Sequence, residues 1–205
     1  MDPASAAVRA GSWEELTAAV TGCVACPELV GQRTQVVPGE RPPGADVLLV
    51  GEAPGAQEDA EGVPFVGRAG QLLDGLLAEA GLPRGRVAVA NVLKCRPPAN
   101  RKPRRDEVSR CRPWLDRQIE LVDPLLLVAL GGTAAEWFFG AAARIGALRQ
   151  EAGVYAGRPV LVSYHPSAAL RFGPAGEPIA ALRADLARAA TLAAELRRRR
   201  GGGQA

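Results

Sequence analysis

The chain has 205 residues, enough for one domain with a substantial hydrophobic core. Apolar residues make up 47% of the chain and charged residues 23%, a balance that excludes an intrinsically disordered protein. The net charge of +3 permits a polyanionic partner without requiring one, so the placement of the cations matters more than their sum.

The first residues, Met1-Asp2-Pro3-Ala4-Ser5, lack the basic and apolar regions of a signal peptide. No run approaches 18 consecutive apolar residues, so we expect no membrane span. These features predict a protein of the reducing cytoplasm, where cysteines serve as metal ligands or catalytic groups rather than as disulfides.

Strand and helix signals alternate along the chain from residue 46 onward. A capping box at Ser12-Trp13-Glu14-Glu15 predicts a first helix that runs toward Cys23. Short apolar runs then predict strands over 46–50, 87–93, 125–130 and 160–164. Helical periodicity predicts helices over 71–80, 106–121 (capped by Asp106), 133–140 and 179–196.

This alternation predicts a three-layer α/β/α sandwich around a short, mostly parallel sheet of four strands. We expect a single domain over residues 1–196, including the N-terminal helix and its cysteine pair. The basic, low-complexity segment 197–205 predicts a disordered tail, with direct DNA contact as an alternative. Parallel sheets bind ligands at the carboxyl ends of their strands, which directs attention to the residues there.

The four cysteines are spaced as a metal-ligand set. Cys23 and Cys26 form a C-x2-C pair, whereas Cys95 and Cys111 stand singly in later segments. Two close pairs are typical of zinc ribbons, and thiolates from separate segments favour an iron–sulfur cubane. Zinc and metal-free buried thiols stay open as alternatives. A cluster here would have a structural role, because it would tie the N-terminal helix to the long loop after the second strand.

Chemically useful residues follow three of the predicted strands. Gly51-Glu52-Ala53-Pro54-Gly55 follows the first strand, with Phe65 thirteen residues past Glu52. Asn91 lies toward the carboxyl end of the second strand, and His165, the only histidine, follows the fourth. Each signal alone is typical of a turn, a core aromatic or a structural histidine. Together they fall at one edge of the predicted sheet.

With these motifs and the four cysteines in order, the chain resembles the family 4 uracil-DNA glycosylases, the iron–sulfur branch of that superfamily. The resemblance covers roughly residues 12 to 196. It implies hydrolysis of the N-glycosidic bond of deoxyuridine in DNA, which releases uracil and leaves an abasic site for base excision repair. It also implies base flipping, a [4Fe-4S] cluster on Cys23, Cys26, Cys95 and Cys111, and uracil-containing DNA as the partner of a monomer.

The resemblance also implies roles for individual residues. Phe65 stacks on uracil, and Asn91 matches its O4 and N3–H and mismatches cytosine. His165 donates a hydrogen bond to uracil O2, for which a neutral imidazole suffices. Backbone groups of Gly51, Ala53 and Gly55 contact the substrate.

The role of Glu52 is open. The family pattern places this carboxylate near C1′ of the sugar, where it either orients the attacking water or stabilises the cationic sugar. Family 1 enzymes carry an aspartate at the position of Ala53, so a dedicated aspartate base is missing here.

DNA contacts are expected from two segments. After the histidine motif, the resemblance implies that Leu170 enters the minor groove next to Ser167 and Arg171, with a plain helix start as the alternative for Leu170. Between the last two cysteines the chain is rich in cations, which predicts a phosphate-binding loop, with a solvated loop as the alternative. The cations of this stretch are Lys94, Arg96, Arg101, Lys102, Arg104, Arg105, Arg110 and Arg112.

Two other classes of protein remain open. A covalent uracil-DNA binder of the same superfamily would carry a histidine in the basic loop, but this chain has Arg101-Lys102-Pro103-Arg104-Arg105 there, which favours turnover. A flavodoxin-like enzyme would use the Gly51 turn as a phosphate loop, but the chain lacks the glycine-rich patterns of such loops. No lysine stands beside the motifs as a nucleophile, so we expect no strand-cleaving lyase activity.

Overall fold

The computed structural model describes residues 2–173 and 176–202. Its centre is one sheet of five strands in the order β2-β1-β3-β5-β4. Neighbouring strands are parallel except for β4 and β5, which are antiparallel. The strands are β1 (Val47–Gly51), β2 (Val87–Asn91), β3 (Leu126–Leu130), β4 (Gly153–Tyr155) and β5 (Arg158–Ser163).

The α/β class and the mostly parallel sheet are confirmed, but the predicted number of four strands is wrong. The additional strand, β4, has three residues, none of them buried, and pairs with β5 at the edge of the sheet. A strand this short and exposed produces no apolar run in the sequence, so periodicity could not reveal it.

Helices lie on both faces of the sheet and in an N-terminal layer. They are α1 (Pro3–Arg9), α2 (Trp13–Thr21), α3 (Pro27–Val30), α4 (Ala56–Glu61), α5 (Arg68–Glu79), α6 (Arg105–Val122), α7 (Gly132–Phe139), α8 (Ile145–Leu148), α9 (Pro166–Phe172) and α10 (Glu177–Gly202). The start of α6 is capped by Glu107, not by Asp106 as predicted, since the Arg104 N–H donates to the Glu107 carboxylate over 2.7 Å.

The strands β1, β2 and β3 are buried on both faces, as a parallel sheet covered by helices requires. Successive side chains of a strand point to opposite faces. Leu48 and Val50 therefore pack with α6 and α7, whereas Val47 and Leu49 pack with α5 and α10.

A third apolar cluster joins the N-terminal helices to α6. Leu16 of α2 and Leu29 of α3 pack against Trp114 of α6, and Cys95 and Cys111 belong to the same cluster. This packing brings the early C-x2-C segment beside the two later cysteines.

Helix α10 continues through Gly202, so residues 197–202 are helical where the sequence predicted a disordered tail. Arg197 forms a partly buried ion pair with Asp46, next to β1, which anchors this end of the helix. Residues 203–205 of the predicted tail lie outside the described residues. Within the described ranges, no helix combines the length and apolar character that crossing a bilayer demands.

The strand order creates a crevice at one edge of the sheet. Strand β2 pairs with β1 on one side, and the later strands β3, β5 and β4 lie on the other side of β1. The loops after β1 and β3 therefore diverge at the carboxyl ends of these strands. Such a switch point is where open α/β sheets bind ligands.

Candidate active site

A cavity of about 500 Å³ opens at this switch point. Glu52 after β1, Asn91 at the end of β2 and His165 after β5 all line it, together with Phe65. Gly131 and Gly132 after β3 also line it. The sequence placed these four side chains at one edge of the sheet, and in the structure they share one hollow.

Phe65 is held in an unusual backbone conformation. Its φ is +56°, in the left-handed region, and its side chain is buried. Two glycines make room for it: a Cβ on Gly51 would lie 2.5 Å from Phe65 Cζ, and a Cβ on Gly70 would lie 1.7 Å from the Phe65 carbonyl oxygen. The ring centroid is 5.6 Å from that of His165. Gly51 therefore shapes the cavity through its lack of a side chain.

Two charged residues fix the loop that carries Phe65. Glu58 accepts hydrogen bonds from the N–H groups of Gly55 at 3.0 Å and Gly67 at 2.9 Å, so one carboxylate ties the two ends of the loop together. Arg84 donates to the Pro64 carbonyl over 2.6 Å. Sequence reasoning missed both residues. Glu58 occupies the third position of α4, where a helix cap is expected, but no local spacing marks its bond to Gly67 or the contact of Arg84.

Asn91 brings an unsatisfied amide to the cavity wall. The residue is 3% exposed, and its Oδ1 is buried without a hydrogen-bond partner among the described residues. A buried acceptor left without a donor costs about 1–3 kcal/mol. A ligand that presents a donor to Asn91 would remove this penalty, so the site favours a ligand with polar edge groups.

His165 has a defined tautomer. The Ser167 N–H donates to His165 Nδ1 over 3.2 Å, and Ser167 Oγ lies 2.8 Å from the same nitrogen. A backbone amide can only donate, so Nδ1 accepts and the proton of the neutral ring is on Nε2. Burial lowers the pKa of His165 to about 4, against a smaller opposite effect of the Glu58 carboxylate. The site therefore holds a neutral imidazole with an Nε2–H donor.

This pKa leads to a prediction for the pH dependence of the reaction. Because the folded pKa lies well below 6.5, His165 stays neutral as the pH falls to about 5 and protonates only near 4. If the neutral ring acts, the single-turnover rate shows no His165 titration between about pH 5 and 8. If the imidazolium acts, the rate falls as the pH rises above 4. His165 is the only histidine, so its titration can be followed directly by NMR.

Glu52 is oriented by a residue from the opposite loop. The Thr133 hydroxyl, at the start of α7, donates to Glu52 Oε2. The contact joins the loops after β1 and β3 across the switch point. No pattern in the sequence pairs Thr133 with Glu52, so this side-chain contact is a finding of the structure.

The profile of the Uracil DNA glycosylase superfamily matches residues 38–187, which is more than half of the chain. The chain belongs to this superfamily. Three similar proteins are each named Type-4 uracil-DNA glycosylase. The Sulfurisphaera tokodaii protein is 43% identical over 78% of this chain and 76% of its own length. The proteins of Pyrobaculum aerophilum (42% identical, 77% and 84%) and Thermotoga maritima (45% identical, 74% and 80%) are similar to the same extent.

In this glycosylase-superfamily member, three of the predicted DNA contacts border the cavity. Ser167, Arg171 and Arg101 line it. Leu170 is 39% exposed on the same short helix, α9, which is compatible with insertion into a groove. The predicted DNA-facing role of each of these residues stays a prediction.

The basic loop of the glycosylase is more neutralised than its sequence suggests. Arg101 forms a two-point ion pair with the buried Glu107, whose pKa it lowers. Lys102 pairs with Glu136 over 3.1 Å, and Arg104 pairs with Glu28. Glu28 and Glu136 are distant in sequence, so counting local charges could not include them.

Two other cations of the stretch differ in their surroundings. Lys94 is 1% exposed, which corrects its assignment to a phosphate-facing surface. Arg105 is exposed and forms no salt bridge with any residue that the structure describes. Of the predicted loop contacts, Arg105 is the one most available to a phosphate.

The four cysteines of this superfamily member meet in a second, small pocket beside Trp114. Arg33 donates to Cys95 Sγ over 2.8 Å and to the Cys23 carbonyl over 2.7 Å. Burial raises the pKa of Cys95, and it raises that of Cys111 to about 12. In the described chain, no three His, Cys, Asp or Glu side chains form a set that could hold one metal ion.

Proposed function

We propose that this protein is a monofunctional DNA N-glycosylase that removes uracil from DNA and leaves an abasic site for base excision repair. The observation that carries the proposal is the convergence of Glu52, Phe65, Asn91 and His165 on one cavity. The name of the relatives, Type-4 uracil-DNA glycosylase, supports the same reaction and substrate.

The cavity suits a flipped pyrimidine. Enzymes that act on a base extrude it from the stack into a pocket that reads its Watson–Crick edge. The Phe65 ring offers a face for stacking, worth about 1–3 kcal/mol for a nucleic acid base. Asn91 offers an acceptor for N3–H and a donor for O4, and its unsatisfied Oδ1 makes such a ligand favourable. Cytosine has an acceptor at N3 and a donor at N4, so it would oppose this pattern.

His165 assists departure of the base. Cleavage of the N1–C1′ bond leaves negative charge on uracil and positive charge on the sugar. A neutral Nε2–H donor directed at O2 stabilises the anion without requiring transfer of the proton. Ser167 keeps this tautomer by donating to Nδ1.

Glu52 serves the sugar side of the reaction. Its carboxylate is fixed by Thr133, and Ala53 stands at the position where family 1 enzymes carry an aspartate. A fixed anion stabilises a cationic sugar as it forms, and the same oxygen atoms can orient the attacking water. The two roles are complementary, because both place negative charge beside C1′.

The four-cysteine pocket fits a [4Fe-4S] cluster. The pocket brings together four thiols from three separate segments of the chain. A set of four cysteine thiols from separate segments suits such a cluster, which Cys23, Cys26, Cys95 and Cys111 would hold. Arg33 donates to the sulfur of Cys95, a contact that favours an anionic thiolate there. When bound, the cluster supplies a rigid link between the segments that carry Cys23 and Cys95.

Loss of one cysteine ligand should therefore weaken cluster binding and the connection between these segments. We expect Cys95→Ser to lose most of the iron and the visible absorbance of the cluster and to lower the melting temperature. The expected cause is loss of binding free energy that contributes to folding. A variant with full iron content and unchanged absorbance would contradict the assignment of Cys95 as a ligand. Substitution of Ser109, exposed on α6 near Cys111 but absent from the pocket, by alanine is the matched control.

The direct test of the function uses an oligonucleotide with a single uracil. Anaerobically purified protein should release free uracil and leave an alkali-labile site, with no strand cleavage before alkali is added. A denaturation-resistant adduct without release of uracil would instead support the covalent binder. A reaction that yields neither free uracil nor an adduct would contradict the proposal.

A further inference from the structure

We propose that Lys94 is a positioning residue that joins the four-cysteine centre to Asn91 and thereby holds Asn91 for the selection of uracil. This inference rests on the proposed function, which assigns base selection to Asn91.

The Lys94 side chain is buried without a carboxylate at hydrogen-bond distance among the described residues. It is 1% exposed, and its Nζ donates to the Asn91 carbonyl over 2.7 Å and to Gln118 Oε1. Burial of an ammonium group is unfavourable unless hydrogen bonds compensate it. A leucine or methionine would pack in the same place without this penalty. Packing alone therefore does not explain why an ammonium group is buried at this position.

The partner of Lys94 is itself fixed at both ends. Gln118 lies on α6, is 1% exposed, and its Nε2 donates to the Pro38 carbonyl over 2.6 Å. Its Oε1 is therefore turned toward Lys94 by a bond to the loop before β1. The Lys94 ammonium is held between α6 and the end of β2, where it has little freedom to move.

Lys94 also contacts the cysteine pocket. Its neighbour in sequence is Cys95. The Lys94 residue lines that pocket. One residue therefore borders the cysteine pocket and contacts the base-reading segment through its side chain.

Asn91 needs this support because its own side chain lacks it. No hydrogen bond from a described residue fixes the Asn91 amide, and its Oδ1 is unsatisfied. The direction of the amide then depends on the main chain after β2. The bond from Lys94 to the Asn91 carbonyl closes this turn and fixes the peptide that follows Asn91. Selectivity for uracil depends on placing the amide correctly, since small errors in position weaken both of its hydrogen bonds.

The test compares Lys94→Met, which retains length and loses the donors, with wild-type protein. We expect uracil release to slow on the order of tenfold and the ratio of uracil to cytosine release to fall, with iron content unchanged. In the Asn91→Ala background, Lys94→Met should have no further effect on that ratio. Equal proportional effects in both backgrounds, or loss of iron with an unchanged ratio, would overturn the inference.

Hydrogen exchange gives a second readout that does not depend on catalysis. In Lys94→Met the amides of residues 92–95 should exchange faster than in wild type, whereas those of β3 should not change. If the wild-type protein released no uracil, the proposed function would fail while this readout still tested Lys94. If Lys94→Met did not fold, Gln118→Met, which removes one partner of the ammonium, should cause a smaller change of the same kind. Unchanged exchange at residues 92–95 would contradict the inference.

Discussion

Replacement of His165 by alanine should slow uracil release by about 10²- to 10³-fold and change DNA affinity little. The reason is that the Nε2–H donor acts on charge that develops only as the glycosidic bond breaks. An interaction made only in the transition state lowers kcat and kcat/KM equally when it is removed. The DNA contacts proposed for Ser167 and Arg171 remain in the variant.

Single-turnover rates and equilibrium binding to the same uracil oligonucleotide separate the two effects. His165→Gln is the informative companion, because glutamine retains an N–H donor but its amide does not become protonated at any accessible pH. It should recover part of the rate that alanine loses if hydrogen bonding is the role of His165. Near-native rates in His165→Ala would show that this residue is not the donor.

Asn91→Asp should reverse the hydrogen-bond preference of the cavity. A carboxylate only accepts, so it repels uracil O4 and can accept from the amino group of cytosine. We expect uracil release to fall by about 10- to 100-fold, the cost of a buried mismatch of roughly 1–3 kcal/mol. The ratio of uracil to cytosine release should fall further, because cytosine no longer meets a mismatched donor.

Asn91→Ala separates the effect of losing the Asn91 hydrogen bonds from the effect of the repulsion that Asn91→Asp introduces toward uracil O4. Both variants should lose uracil activity, but only the aspartate should gain relative activity on cytosine. Both substrates are best measured at the same position of one oligonucleotide. An aspartate variant with the wild-type ratio would show that another residue selects the base.

The sequence predicted the catalytic side of the cavity because parallel strands present their carboxyl ends at one edge. Asn91 and His165 each follow a buried apolar run, so their convergence followed from the fold class. Residues that fix them could not be predicted in this way. Thr133 contacts Glu52 across the switch point, and Lys94 contacts Gln118 of α6, and no local spacing marks such contacts.

The sequence predicted poorly which basic side chains are neutralised by ion pairs. The basic loop appeared to carry almost unopposed positive charge, yet Glu28 and Glu136 approach it from other segments. The arginine-rich end of the chain likewise appeared unstructured, although Asp46 pairs with Arg197 across the fold. In both places the missing information was the position of a distant carboxylate.

We expect the cavity at the switch point to hold an extruded uracil. The most direct measurement is a crystal structure with an oligonucleotide that carries 2′-fluoro-deoxyuridine, whose fluorine slows cleavage of the glycosidic bond. We predict the uracil ring against Phe65, its N3 and O4 edge at Asn91 and its O2 at Nε2 of His165. A uracil that remains stacked in the DNA, or binds outside this cavity, would contradict the account.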